Sequence, residues 1–169
     1  MFSKSSVNRT RLVDAPIVEA LLMNKYGKSG VSFIQSSDDD ADFVCYSSGA
    51  KRSYCIRRNS SKYYNSPNFT VTLDKNRLYK FNNTSYVFID EVLNCLYIVD
   101  GIDLLTYIVE HPERINGCED SDSRAWVILP KKDIRDIISD NPNSTIKYNK
   151  QISSIFANCR DENNYKDFV

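Results

Sequence analysis

The sequence predicts an α/β domain whose elements run helix, three-strand meander, helix, strand pair, helix. Three observations carry this. Apolar residues recur at helical spacing in separate windows, short β-branched and aromatic runs lie between those windows, and turn residues punctuate each change. With 169 residues, 41% of them hydrophobic and 12% aromatic, a single domain over 1–169 has enough apolar surface for a core.

Asp14 is the expected N-cap of a first helix over 15–26, with Pro16 in its opening turn. Ile17, Val18, Leu21 and Leu22 supply its apolar face, and Gly27 is the stop. The runs Val31 to Ile34 and Asp42 to Tyr46 read as strands across the acidic turn Ser37 to Asp40. The Ser47-Ser48-Gly49-Ala50 turn leads to a third strand, Arg52 to Arg57, which completes the meander. Asn59 to Pro67 is polar and reads as an exposed loop.

Leu73, Arg77, Leu78 and Phe81 recur at helical spacing and predict a helix over about 73–82. Tyr86 to Asp90 and Cys95 to Val99 are continuous apolar runs, as expected of strands buried on both faces, joined through Glu91 to Asn94. An amphipathic helix from Ile102 to Val109 stops at His111-Pro112. That closes a core of about 15–110. An extension over about 111–160 follows, with the polar, mostly acidic loop Gly117 to Arg124, a strand Trp126 to Leu129, a helix opened by Pro130 and a last helix from Lys150 to Asn158. The charged tail Arg160 to Val169 is expected to be loosely held.

Charge and composition narrow the function. Lys and Arg (22) balance Asp and Glu (22), so no global basic field draws the chain to nucleic acid or anionic lipid, and any such contact must be local. No apolar run approaches the roughly 20 residues of a membrane span, and the first residues lack the apolar stretch of a signal peptide, so a cytoplasmic protein is expected. Cys45, Cys55, Cys95, Cys118 and Cys159 form no C-x-x-C pair, and His111 is the one histidine. Zinc, iron–sulfur and disulfide frameworks are therefore disfavoured, and buried reduced thiols are expected. Gly27-Lys28-Ser29-Gly30 follows a helix and lacks the upstream glycine of a phosphate loop, and His111, beside a proline, suits a helix end better than a nucleophile pair.

The constellation of interest is Glu19 on the first helix, Asp42 opening the second strand, and Arg57 and Arg58 at the charged end of the third. The order of helix, three-strand meander, helix and strand, with these positions, resembles the PD-(D/E)XK nuclease superfamily over about residues 15–100. The resemblance implies a restriction-endonuclease-like αβββαβ core, a mixed central sheet flanked by helices, with a helical C-terminal extension. The family's helix glutamate, second-strand aspartate, and third-strand acidic residue and lysine fall on Glu19, Asp42, Cys55 and Arg57. In such a site clustered carboxylates hold Mg²⁺, which lowers the pKa of a water and steadies charge on the scissile phosphate. Glu19, Asp42 and Asp40 are the implied metal ligands, and Asp38 to Asp40 or Lys62 are candidates for the missing groups. The third strand departs from the pattern: a thiol is a poor Mg²⁺ ligand, and a guanidinium stays protonated and cannot act as a base.

Two functions follow as expectations. One is a Mg²⁺-dependent DNA endonuclease, or a degenerate relative of one. The other is a non-catalytic binding protein on the same fold that binds DNA or inhibits a host enzyme, of phage or mobile-element type. For binding, Arg52, Arg57, Arg58, Lys62, Tyr63 and Tyr64 form a locally basic, aromatic stretch suited to phosphate contact and base stacking. Tyrosine and arginine equally favour a protein partner, and pairing of sheet edges would give a homodimer. The blander reading makes Arg57 and Arg58 a solvated strand end and Glu19 a solvated helix charge.

Overall fold

The computed structural model describes residues 9–26, 31–35, 41–47, 50–117 and 124–160. The expected stop at Gly27, the Gly27–Gly30 segment, the acidic residues 38–40, the Ser48-Gly49 turn, Cys118 and the tail beyond 160 lie outside them. The protein is mixed α/β, with a central mixed sheet flanked by helices and further helices towards the C-terminus.

Helical backbone begins before the expected cap. A wide turn over Thr10–Asp14 runs directly into α1 (Ala15–Tyr26), with the Ala15 N–H donating to the Thr10 carbonyl. Pro16 has no N–H to give to the carbonyl four residues back, and this wider turn leads into it. Asp14 is thus inside continuous helix, not at its cap. Its carboxylate is fully buried and faces arginines.

The meander forms as expected: β1 (Val31–Gln35), β2 (Phe43–Ser47) and β3 (Ala50–Arg57) pair antiparallel in sequence. The chain then crosses over so that β5 (Thr84–Asp90) lies parallel to β3. β6 (Cys95–Asp100) returns antiparallel, and the short β9 (Thr145–Lys147) completes the order β1-β2-β3-β5-β6-β9. The β5 residues are buried throughout, as its unbroken apolar run requires.

The crossover corrects the expected helix over 73–82. Residues Asn68–Asp74 form a strand, β4, and Lys75–Phe81 form 3₁₀ turns. Phe69, Val71 and Leu73 alternate into the core at the period of a strand, so Leu73 belongs to that pattern. The Asp74 carboxylate then accepts from the Asn76 N–H and starts the 3₁₀ segment, which buries only Phe81 and leaves Leu78 exposed. The helical spacing joined two elements.

After β6, α2 (Gly101–Glu110) is capped by Asp100, which accepts from the Ile102 N–H, and ends at His111. His111 fulfils its expected helix-end role: Nδ1 lies 2.9 Å from the Tyr107 carbonyl, and the ring stacks on Tyr107 at 4.2 Å. The extension holds the expected strand over 126–129 and both expected helices. β7 (Ile115–Asn116) and β8 (Arg124–Pro130) join β4 in a second sheet of order β4-β8-β7, followed by α3 (Lys131–Ile137) and α4 (Lys150–Asn158).

The six-stranded sheet therefore has two different covers. On one face α1 and α4 pack Val18, Leu22 and Phe156 over Phe43, Ile56, Val87 and Leu96. On the other, the second sheet, α2 and α3 pack Phe69, Val71, Val127, Leu104 and Ile134 over Cys55, Phe88, Tyr97 and Val99. Of the described cysteines, Cys55, Cys95 and Cys159 are buried and Cys45 half-buried, all as free thiols.

Gly101 fixes how α2 meets the sheet. A Cβ there would lie 2.2 Å from the Phe81 carbonyl oxygen and 2.8 Å from that of Thr84. Both are backbone atoms and cannot swing aside. Gly101→Ala is expected to cost about 1–3 kcal/mol, the range of overpacking in a tight core, read as a lower urea midpoint with unchanged slope.

Candidate functional site

Of the predicted site residues, Asp42 and Arg57 are brought together. Asp42 sits in a bend just before β2, and its Oδ2 accepts the Ile56 N–H at 2.6 Å. The Arg57 Nη1 lies 3.9 Å from the same oxygen and donates to the Ile56 carbonyl at 2.8 Å. The guanidinium also lies 5.9 Å above the Tyr86 ring. Asp42 thus faces a main-chain donor and a fixed positive charge.

Alternation along β3 separates the remaining candidates. Cys55 belongs to the core beneath the second sheet, whereas Ile56 belongs to the core beneath α1. Glu19 rides on α1, on that second side, half-buried, and desolvation raises its carboxyl pKa. The sheet therefore lies between the helix carrying Glu19 and the Cys55 thiol. Asp40 lies outside the described residues.

The described donors Glu19, Asp42 and Cys55 do not gather as a Mg²⁺ centre. Asp42 is engaged by a backbone N–H and opposed by Arg57, Cys55 is a buried soft thiol, and Glu19 belongs to the opposite cover. Among the described residues, no three His, Cys, Asp or Glu side chains gather as metal ligands.

The basic stretch is also divided. Arg52, at the start of β3, donates to Ser85 Oγ at 3.0 Å and pairs with Asp100 at 3.4 Å. Five residues on, at about 3.3 Å each, Arg57 and Arg58 stand near the other end of the strand. Arg58 is not a solvated strand end. Its side chain is 1% exposed and forks onto Asp14, with Nη2 3.0 Å from Oδ1 and Nε 3.2 Å from Oδ2. It further donates to the Phe156 carbonyl at 2.7 Å and the Cys159 carbonyl at 3.2 Å, and faces Glu91 at 3.8 Å.

Arg9 adds to this cluster, donating to the Arg160 carbonyl, and Arg160 donates to Glu91 at 2.8 Å. Burial pushes the Asp14 carboxyl pKa up against the opposing pull of Arg58 and Arg9. The strand period was the available signal. With Cys55 and Arg57 on one face, position 58 falls on the face covered by α1.

The loop between β3 and β4 carries two cation–aromatic contacts. Lys62 Nζ lies 5.4 Å from the Tyr63 ring centroid, with both residues exposed, and the Arg160 guanidinium stacks 3.6 Å from that of Tyr64. Of the predicted nucleic-acid surface, Lys62 and Tyr63 are accessible here, whereas Tyr64 is half-buried beneath Arg160.

Sequence reasoning missed a buried polar cluster around Asp90. One carboxylate oxygen receives Lys131 Nζ at 3.1 Å and the Val92 and Leu93 N–H groups, while the other receives the Tyr97 hydroxyl at 2.7 Å. Burial pushes the Asp90 pKa up, but the Tyr97 and Lys131 hydrogen bonds and the Lys131 charge outweigh it, and the pKa lies below the ordinary value. Asp90 and Lys131 are 41 positions apart, a separation that no local spacing reveals.

No protein-family model matches the chain, and no curated protein matches it. Among solved structures, that of D212, a nuclease from a fusselovirus, is similar at a TM-score of 0.48 and 11% identity, covering 100% of this chain and 99% of that one.

Two stability measurements test these clusters. Arg58→Met leaves Asp14 and Glu91 buried without their central cation and is expected to cost about 3–5 kcal/mol in urea unfolding. For Asp90, the unfolded carboxyl, with a pKa of about 3.9, binds more protons than the folded one in the window below it, so stability rises with pH there. Its contribution is complete above that unfolded pKa and lost as pH falls through the lowered folded value. Asp90→Asn is expected to lower the plateau and flatten the acid limb in stability measured from pH 7 to pH 2.

Proposed function

We propose that this protein is a non-catalytic nucleic-acid-binding protein built on a restriction-endonuclease-like core. The carrying observation is the state of Asp42, whose Oδ2 takes the Ile56 N–H at 2.6 Å with the Arg57 guanidinium 3.9 Å away. A carboxylate so engaged has its negative charge answered within the protein, and Cys55 adds no hard oxygen ligand beside it. The element order supports the nuclease-type scaffold, while these residue identities argue against its hydrolytic chemistry.

The binding surface in this reading includes the loop after β3. Lys62 supplies a phosphate contact, and Tyr63 supplies a ring on which a base stacks. Arg58 takes no direct part, since its guanidinium is occupied inside the fold. Its role is to hold the strand end from which the loop departs.

Fluorescence polarisation with labelled DNA and RNA oligonucleotides in EDTA tests the reading, alongside plasmid nicking in Mg²⁺ and Mn²⁺. Binding without added metal and no nicking are expected. Lys62→Ala is expected to reduce the slope of log affinity against log salt by about 1, and Tyr63→Ala to weaken binding by about 1–3 kcal/mol. Metal-dependent nicking abolished by Asp42→Asn would establish an active endonuclease instead. Failure to bind any duplex or single strand would remove the nucleic-acid reading.

A further inference from the structure

The outer face of the second sheet carries Trp126, the one tryptophan of the chain, on β8, the middle strand. It is 51% exposed, although its strand neighbours Ala125 and Val127 are buried on the inner face. Its position is set from below. A Cβ on Gly117 would lie 2.6 Å and 2.7 Å from the Trp126 ring atoms Cε3 and Cζ3, so only a glycine lets the ring lie against the backbone there. Gly117 also has φ +83°, a conformation that L side chains rarely adopt. The ring is closed on the glycine side, and half its surface is left to solvent.

The surroundings carry hydroxyl, amide and charged groups. Thr72 and Asn116 are the cross-strand partners of Trp126, and Thr70 lies two positions along on the same face of β4, all three exposed. Arg124 is exposed two residues before Trp126 on the same face, about 7 Å along the strand. Lys75 and Arg77, both exposed, leave the end of β4 beside it; Asp74, the cross-strand partner of Arg124, lies 3.9 Å from Arg77, so three cations stand against this one carboxylate among the described residues there. An open aromatic ring followed by positive charge at one end complements a base with its phosphate backbone.

We infer that the outer face of the β4-β8-β7 sheet is a stacking platform for single-stranded nucleic acid, on which Trp126 receives an unpaired base while Arg124 and Lys75 meet the backbone. This inference rests on the nucleic-acid reading above and assigns it a second surface, apart from the Lys62–Tyr63 loop. An exposed flat ring suits a splayed base rather than a stacked duplex, and stacking is tolerant of base identity. The hydroxyl and amide neighbours and flanking cations differ from the charge-depleted core of a protein interface.

The single tryptophan makes its emission a direct probe. Titration of the full chain with dT12 is expected to quench that emission in step with fluorescence polarisation of the labelled strand. Trp126→Ala is expected to weaken binding by about 5-fold to 150-fold, the range set by one lost aromatic stack, and Trp126→Phe to restore part of it. Unchanged urea midpoints would show that both variants remain folded. Binding of dT12 with unaltered emission and no loss in Trp126→Ala would overturn the platform and leave the loop as the binding surface. No binding by polarisation in any variant would overturn both. Quenching by a soluble oligosaccharide, with none by dT12, would assign the face to sugar binding and also overturn the inference.

Discussion

The buried ion pair between Arg58 and Asp14 joins more of this fold than any other polar contact described. Asp14 belongs to the turn that enters α1, Arg58 follows β3, and the same guanidinium reaches two carbonyls at the end of α4 and the Glu91 carboxylate after β5. Each charge would be costly to bury alone, and forked geometry with several acceptors is what makes the burial tolerable. The cover formed by α1 and α4 is thereby tied to the strand end where Asp42 and Arg57 meet. Packing of Val18, Leu22 and Phe156 supplies the apolar part of the same attachment.

The two covers of the main sheet divide the functional questions. The α1 and α4 side is closed by this charge cluster. The other side is covered by the second sheet with α2 and α3, and the outer surface of that sheet exposes Trp126. Between them, β3 places successive residues in opposite environments, so Cys55 and Arg58 are both buried yet belong to different cores. A motif written as a string of neighbouring letters is split by that alternation.

Most of the element order was legible because its signals are local. The strand pair 86–99, the capped helix after Asp100 and the last helix after Asn149 each carry their own pattern and boundary. The segment over 68–81 was misread because Leu73 and Phe81 fit a helical period while belonging to different elements. The second sheet and the pairing of β9 with β6 depend on distant partners, and neither β7 nor β9 is long enough to announce itself. Asp42 and Arg57, singled out from their strand positions, do lie beside one another in the fold. The inward turn of Arg58 follows from strand period, but its counterion at position 14 is fixed only by the fold, as is the Lys131 partner of Asp90.

The reach of Arg58 also bears on the order in which structure can become complete during synthesis. Its contacts with the Phe156 and Cys159 carbonyls span 98 and 101 positions, and Arg9 meets the Arg160 carbonyl across 151. Such contacts close only after long loops have been ordered, which slows folding relative to locally connected chains. During synthesis α1 would therefore meet Arg58 early, while the Phe156 and Cys159 carbonyls that enclose the pair follow Arg58 by 98 and 101 positions. Until then the chain carries a helix whose charges remain hydrated and whose apolar face has no complete cover.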